Sequence, residues 1–95
     1  MSDRITERDL KGLVDRLNRL TGSPMVPYAF DEALDKHVAQ IGNYHISHAY
    51  GGVALHRMHS LGGGVTEPLY SGHVAKRELY LQMHAYIKGI EEGRS

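Results

Sequence analysis

Apolar residues recur at spacings of three and four near the start of the chain: Leu10, Leu13, Val14, Leu17 and Leu20 fall on one helical stripe. The pattern predicts an amphipathic helix over residues 6–21. Thr6 suits its N-cap, with Asp9 three residues on as the capping-box partner. Gly22 suits the left-handed position after the last turn, and Pro24 prevents continuation. The same period returns in Leu79, Met83, Tyr86, Ile87 and Ile90, which predicts a second helix over 74–91 with Gly93 as its stop.

Between these helices the period changes to two. Gly42-Asn43 and Gly51-Gly52 read as two-residue hairpin turns, which predicts an antiparallel meander over 37–58. In that register Ile41 faces Tyr44 and Tyr50 faces Val53. Ala39, Ile41, Tyr44, Ile46, Tyr50, Val53 and Leu55 then share one apolar face, with His37, His48 and Arg57 at its margins. His45, Ser47 and His56 lie on the other face. Residues 25–36 carry an edge strand or extended arm, because Pro24 and Pro27 disfavour a central strand, and Asp31 to Lys36 form a turn. Residues 60–72 form a glycine loop. The whole is one α+β domain, 1–95: N-terminal helix, three-stranded meander with room for a fourth strand, C-terminal helix, in two layers.

Composition narrows the function. The formal net charge is zero, which argues against bulk binding to nucleic acid. Absence of cysteine excludes disulfides and thiolate metal sites and fits a reducing, cytoplasmic compartment. No apolar run is long enough for a transmembrane helix, and the N-terminus has no signal-peptide core. A core this small would be naturally supplemented by homo-oligomerisation.

The seven histidines divide between the two sheet faces without a third or fourth converging ligand, so no metal site is expected. Ser47 lies near His45 and His56, but no carboxylate in the strands could orient either imidazole. No catalytic residue and no cofactor are therefore assigned.

The best ligand-binding signal is an anion site. Gly62, Gly63 and Gly64 allow close backbone approach. Lys76 and Arg77 stand at the start of the second helix, where cations oppose the helix dipole unless an anion is held there. Arg57 is expected to converge on the same place, with His73 and the turn residue Tyr50 completing the set. The partner so implied is a phosphorylated small molecule. A host protein docking on the outward face of His45, Ser47, His56 and Met58 is the alternative; nucleic acid and membrane are disfavoured.

The run "IGNYHISHAYGGVALHRM…GGGV", followed by "GH…KRELY…MHAYIKGIE" and preceded by "RLNRLTGSP…PY", resembles a group of small bacteriophage and prophage proteins, mostly without assigned function. The resemblance covers most of the chain and implies expression in a bacterial host's cytoplasm. Proteins of that size and origin often act by stoichiometric binding in counter-defence, which here suggests sequestration of a nucleotide signal in an oligomer. The group is expected to carry a threonine N-cap just before "KRELY"; this chain has Ala75 instead.

Overall fold

The structure, a computed structural model, describes residues 4–93. Its elements are α1 (Glu7–Thr21), β1 (Tyr28–Asp31), β2 (Lys36–Ala39), β3 (Tyr44–Ala49), β4 (Gly52–Met58), β5 (Val65–Thr66) and α2 (Lys76–Gly93). The α+β class holds: two helices and antiparallel strands, the strands divided between a β1–β2 hairpin and a three-stranded sheet in the order β3-β4-β5.

The cap chemistry of α1 is as the sequence implies. The Thr6 side chain accepts from the Asp9 N–H while the Asp9 carboxylate accepts from the Thr6 N–H, and Gly22 closes the helix at φ 68°. α2 begins at Lys76 with Ala75 before it, and Ala75 supplies only its carbonyl, accepting from the Leu79 N–H at 3.0 Å. Among the described residues no helix is long and apolar enough to cross a membrane.

The strand pairing differs from the sequence reading in two ways. Gly42-Asn43 does not join β2 to β3 as a hairpin. The Asn43 N–H instead donates to the Gln40 carbonyl, and the Asn43 side chain donates to the Pro24 carbonyl. This turn redirects the chain, so β2 pairs back with β1, Tyr28 facing Ala39. The second turn is Tyr50-Gly51 rather than Gly51-Gly52, with both residues at positive φ (55° and 73°) and Ala49 facing Gly52. His48 consequently faces Val53 and Tyr44 faces Arg57. The slip is an even number of positions, so the side chains of β3 and β4 keep their faces.

Gly52 is a glycine for a different reason. A Cβ there would lie 2.9 Å from the Val74 carbonyl oxygen, so the strand after it accepts a close backbone neighbour. That neighbour is Val74, which exchanges two backbone hydrogen bonds with Val53 (2.8 and 2.9 Å).

The core forms where both helices pack on one face of β3 and β4: Leu10, Leu13, Leu17, Tyr44, Leu55, Leu79 and Met83 are among its buried members. Ile41 and Tyr50, expected on this face, are exposed. Asn18 is fully buried, and its carboxamide pairs with both backbone groups of Tyr44: Nδ2 donates to the carbonyl (3.0 Å) and Oδ1 accepts from the N–H (2.8 Å). It thus substitutes for a neighbouring strand at the start of the β3 edge. The Tyr44 ring carries the Arg57 guanidinium 4.6 Å from its centroid, and its hydroxyl lies 3.2 Å from that of Tyr86. Burial first, and then the Tyr86 hydroxyl, push the Tyr44 phenol up to about 12.

Candidate functional site

Strand β4 separates the residues expected to form one anion site. At its first end lie Tyr50, in the turn before it, and His73 and Lys76, brought there by the Val53–Val74 bridge. At its other end β5 pairs back, Met58 facing Val65, and the three glycines make the connecting turn. The two ends are roughly 17–20 Å apart at the usual strand rise. The expected convergence of Arg57 and Gly62, Gly63 and Gly64 on the start of α2 therefore does not occur.

Each group also has local work. The Gly63 N–H donates to the Ser60 carbonyl and the Gly64 N–H to the Ser60 hydroxyl (both 3.1 Å), so these two donors close a turn rather than an anion nest. Gly63 has φ 95°, and a Cβ there would meet the Tyr28 hydroxyl at 3.0 Å. Arg57 donates from Nε to the Gly42 carbonyl at 3.2 Å. The cation at the start of α2 does hold an anion, supplied by the chain itself: Lys76 Nζ lies 3.2 Å from the Glu7 carboxylate, whose other oxygen is 2.8 Å from His48 Nε2. Hydrogen bonding to His48 first, and then to Lys76, holds the Glu7 carboxyl below its ordinary value. These three residues line a cleft of about 420 Å³ beside Gly51 and Gly52. Arg77 is exposed on the same helical turn.

A different constellation forms on the sheet face away from the helices. Strand alternation sends His45 and Ser47 from β3, and His56 from β4, to that face, with His45 directly opposite His56. The Val53–Val74 bridge then lays His73 across them. Its Nε2 is 3.0 Å from the Ser47 hydroxyl, and its ring centroid is 5.9 Å from that of His56 and 5.8 Å from that of Tyr50. His45 and His56 are 5.9 Å apart, and the Asn43 carboxamide oxygen lies 3.1 Å from His45 Nδ1. All the imidazole contacts are edge-to-face. His45, Ser47, His56 and His73 are half-buried, whereas Tyr50 is 97% exposed.

Burial, and then the neighbouring His56, lower the His45 pKa. Burial also lowers that of His56, with His73 adding to the effect and Glu67 opposing it. Both are therefore neutral at neutral pH, each nitrogen ring offering one donor and one acceptor. Among the described residues no three His, Asp or Glu side chains are arranged to hold a metal ion.

The sequence places Tyr50 and His73 in one set with Arg57, the three glycines and the start of α2, but does not bring Ser47 and His56 to them. That meeting depends on a bridge between residues far apart in the chain. The available signal was the second glycine of Gly51-Gly52, which the turn does not require.

The depressed imidazoles give stability a defined pH dependence. Unfolded chains bind more protons at these sites than folded ones below the ordinary histidine value of about 6.5. Their contribution is complete above that pH and is lost as pH falls from it through the lower folded-state values. Thermal unfolding should therefore begin at lower temperature at about pH 5.5 than at about 7.5. A His45→Gln/His56→Gln variant should show a smaller drop by calorimetry.

Comparison of the chain with models of protein families, with curated proteins and with solved structures finds no match.

Proposed function

We propose that the protein acts by stoichiometric binding without turnover, and that its ligand is a phosphorylated small molecule with a planar ring, of the nucleotide class. Ser47, His56, His73 and Tyr50 hold it on the outward sheet face. The observation that carries this reading is Tyr50: a tyrosine kept at φ 55°, 97% exposed, 5.8 Å from the His73 ring. Left-handed backbone costs a residue with a side chain about 1–2 kcal/mol, and glycine or asparagine would make the same turn more easily. Little packing offsets that cost here, whereas a ring stacking on Tyr50 does. The Ser47 hydroxyl and the imidazole N–H groups beside it supply donors for phosphate oxygens. The resemblance to small phage proteins supports a host nucleotide signal as the ligand and the bacterial cytoplasm as the setting.

The test is calorimetric titration of untagged protein with linear and cyclic nucleotides, with the ligand recovered afterwards for mass analysis. Binding should tighten as pH falls from about 7.5 to about 6, because a bound anion favours the imidazolium form. His73→Ala and Tyr50→Ser should each weaken it at least about tenfold, equivalent to about 1.4 kcal/mol. The recovered nucleotide should be chemically unchanged. An absence of heat with every nucleotide, or a hydrolysed product, would contradict the reading.

A further inference from the structure

The β1–β2 hairpin adds little to the core: Ala39 is buried, but no other side chain of either strand is, and neither strand contributes to the main core cluster. The radius of gyration is 14.2 Å, with extents of 50 × 37 × 25 Å. Exposed apolar side chains concentrate on the hairpin and its flanks: Met25, Val26, Tyr28, Phe30, Leu34 and Ile41 are each 41–55% exposed. At up to about 200 Å² per large side chain, this is on the order of 500 Å² of apolar surface. A standard interface buries about 800 Å² per partner, somewhat more than half of it non-polar, so apolar surface on this order is about what one such interface takes. A two-stranded hairpin alone is also marginal in water, because three strands or a packed face are needed to stabilise it.

The backbone of β1 specifies what covers it. The Gln40 N–H donates to the Pro27 carbonyl at 2.8 Å, which fixes the phase of the ladder. Pro27 and Ala29 then point their backbone groups toward β2, while Tyr28 and Phe30 turn theirs to the outer edge. Among the described residues, that edge has no strand beside it.

We infer that β1 is a self-association edge: two copies pair β1 against β1 antiparallel about a two-fold axis, making a four-stranded sheet. With Ala29 facing its own copy, Tyr28 faces Phe30 of the second chain and Phe30 faces Tyr28. All four outward N–H groups and all four outward carbonyls are then paired, and two aromatic cross-strand pairs form on one face. The zero formal net charge sets no overall repulsion against this pairing. The inference is independent of the ligand reading, since β1 contributes nothing to the imidazole face.

Facing residues at a non-hydrogen-bonded position have Cα atoms about 4.5 Å apart, within disulfide range. The chain has no cysteine of its own. Full-length Ala29→Cys should therefore form a covalent dimer under mild oxidation, and Glu32→Cys, in the turn beyond the strand, should not. The unmodified protein should sediment at twice the chain mass. Phe30→Pro, which removes an N–H that faces away from β2, should sediment as a monomer with its helical circular dichroism retained. A monomeric parent with no Ala29→Cys cross-link would overturn the inference. So would a dimer that neither cross-links at position 29 nor responds to Phe30→Pro.

Discussion

Asn18→Ala should lower the unfolding free energy by about 3 kcal/mol, and the midpoint of thermal unfolding by roughly 15 °C. The side chain is fully buried and pairs with both backbone groups of Tyr44. Alanine leaves a buried N–H and a buried carbonyl unpaired, at about 1–3 kcal/mol each. It also uncouples α1 from the first residue of β3. Asn18→Asp should fail as well: it keeps the acceptor for the Tyr44 N–H but sets a carboxylate oxygen against the Tyr44 carbonyl in a buried position. Arg19→Ala, one residue along and exposed, should change stability by no more than about 0.5 kcal/mol. Chemical denaturation of the three variants measures these differences. Equal effects at positions 18 and 19 would remove Asn18 from its role as a surrogate strand.

Gly52→Ala should produce the second large effect, and it should reach both stability and binding. The added Cβ would stand 2.9 Å from the Val74 carbonyl oxygen and 3.1 Å from the His73 carbonyl carbon, all of it backbone. No flexible side chain can yield there, so the 73–74 segment must move away from β4. The two Val53–Val74 hydrogen bonds stretch or break, at about 1–3 kcal/mol for the overpacking. His73 moves with the segment and leaves Ser47. Binding of any ligand on the outward face should then weaken at least as much as in His73→Ala. Gly51→Asn, in the turn itself, should cost less than about 1 kcal/mol, because asparagine tolerates positive φ and nothing lies within 4 Å of its Cβ position. Denaturation and calorimetric titration of both variants check the contrast.

These two positions also show where sequence periodicity stops. It was sufficient for α1, whose N-cap, capping box and C-cap are all local chemistry, and for the two faces of β3 and β4, which survive an even register slip. It did not locate the Tyr50-Gly51 turn, since glycine at both central positions is the cheaper solution and tyrosine at positive φ is unusual. It joined β2 to the wrong strand because Gly42-Asn43 has hairpin composition. The pairing is instead decided by Asn43 and Gln40 holding the segment around Pro24 to Pro27, contacts that leave no periodic trace. Asn18 looked like any polar helix residue beside Leu17.

The candidate site was legible in part. Tyr50 and His73 stood out as residues near a turn and a helix start, and they do meet. Arg57 and the three glycines would join them only if residues 60–72 formed one loop leading straight to α2. Pairing of Val65 and Thr66 with β4 breaks that loop into a tight turn and a separate return segment. The first-turn cation Lys76 was expected to signal an external anion, but Glu7 from the other helix fills that position.

The imidazole face with Tyr50 is the proposed seat of a nucleotide-class anion. It is tested most directly by following the histidine ring resonances across pH, with and without saturating nucleotide. The free protein should show His45 and His56 titrating below the ordinary histidine value. A bound nucleotide should shift the resonances of His56 and His73 and raise the pH at which His56 titrates, while the resonances of His37 and His84, away from that face, stay where they are. No shift at His45, His56 or His73 with any nucleotide, or an equal shift at His37, would contradict the account.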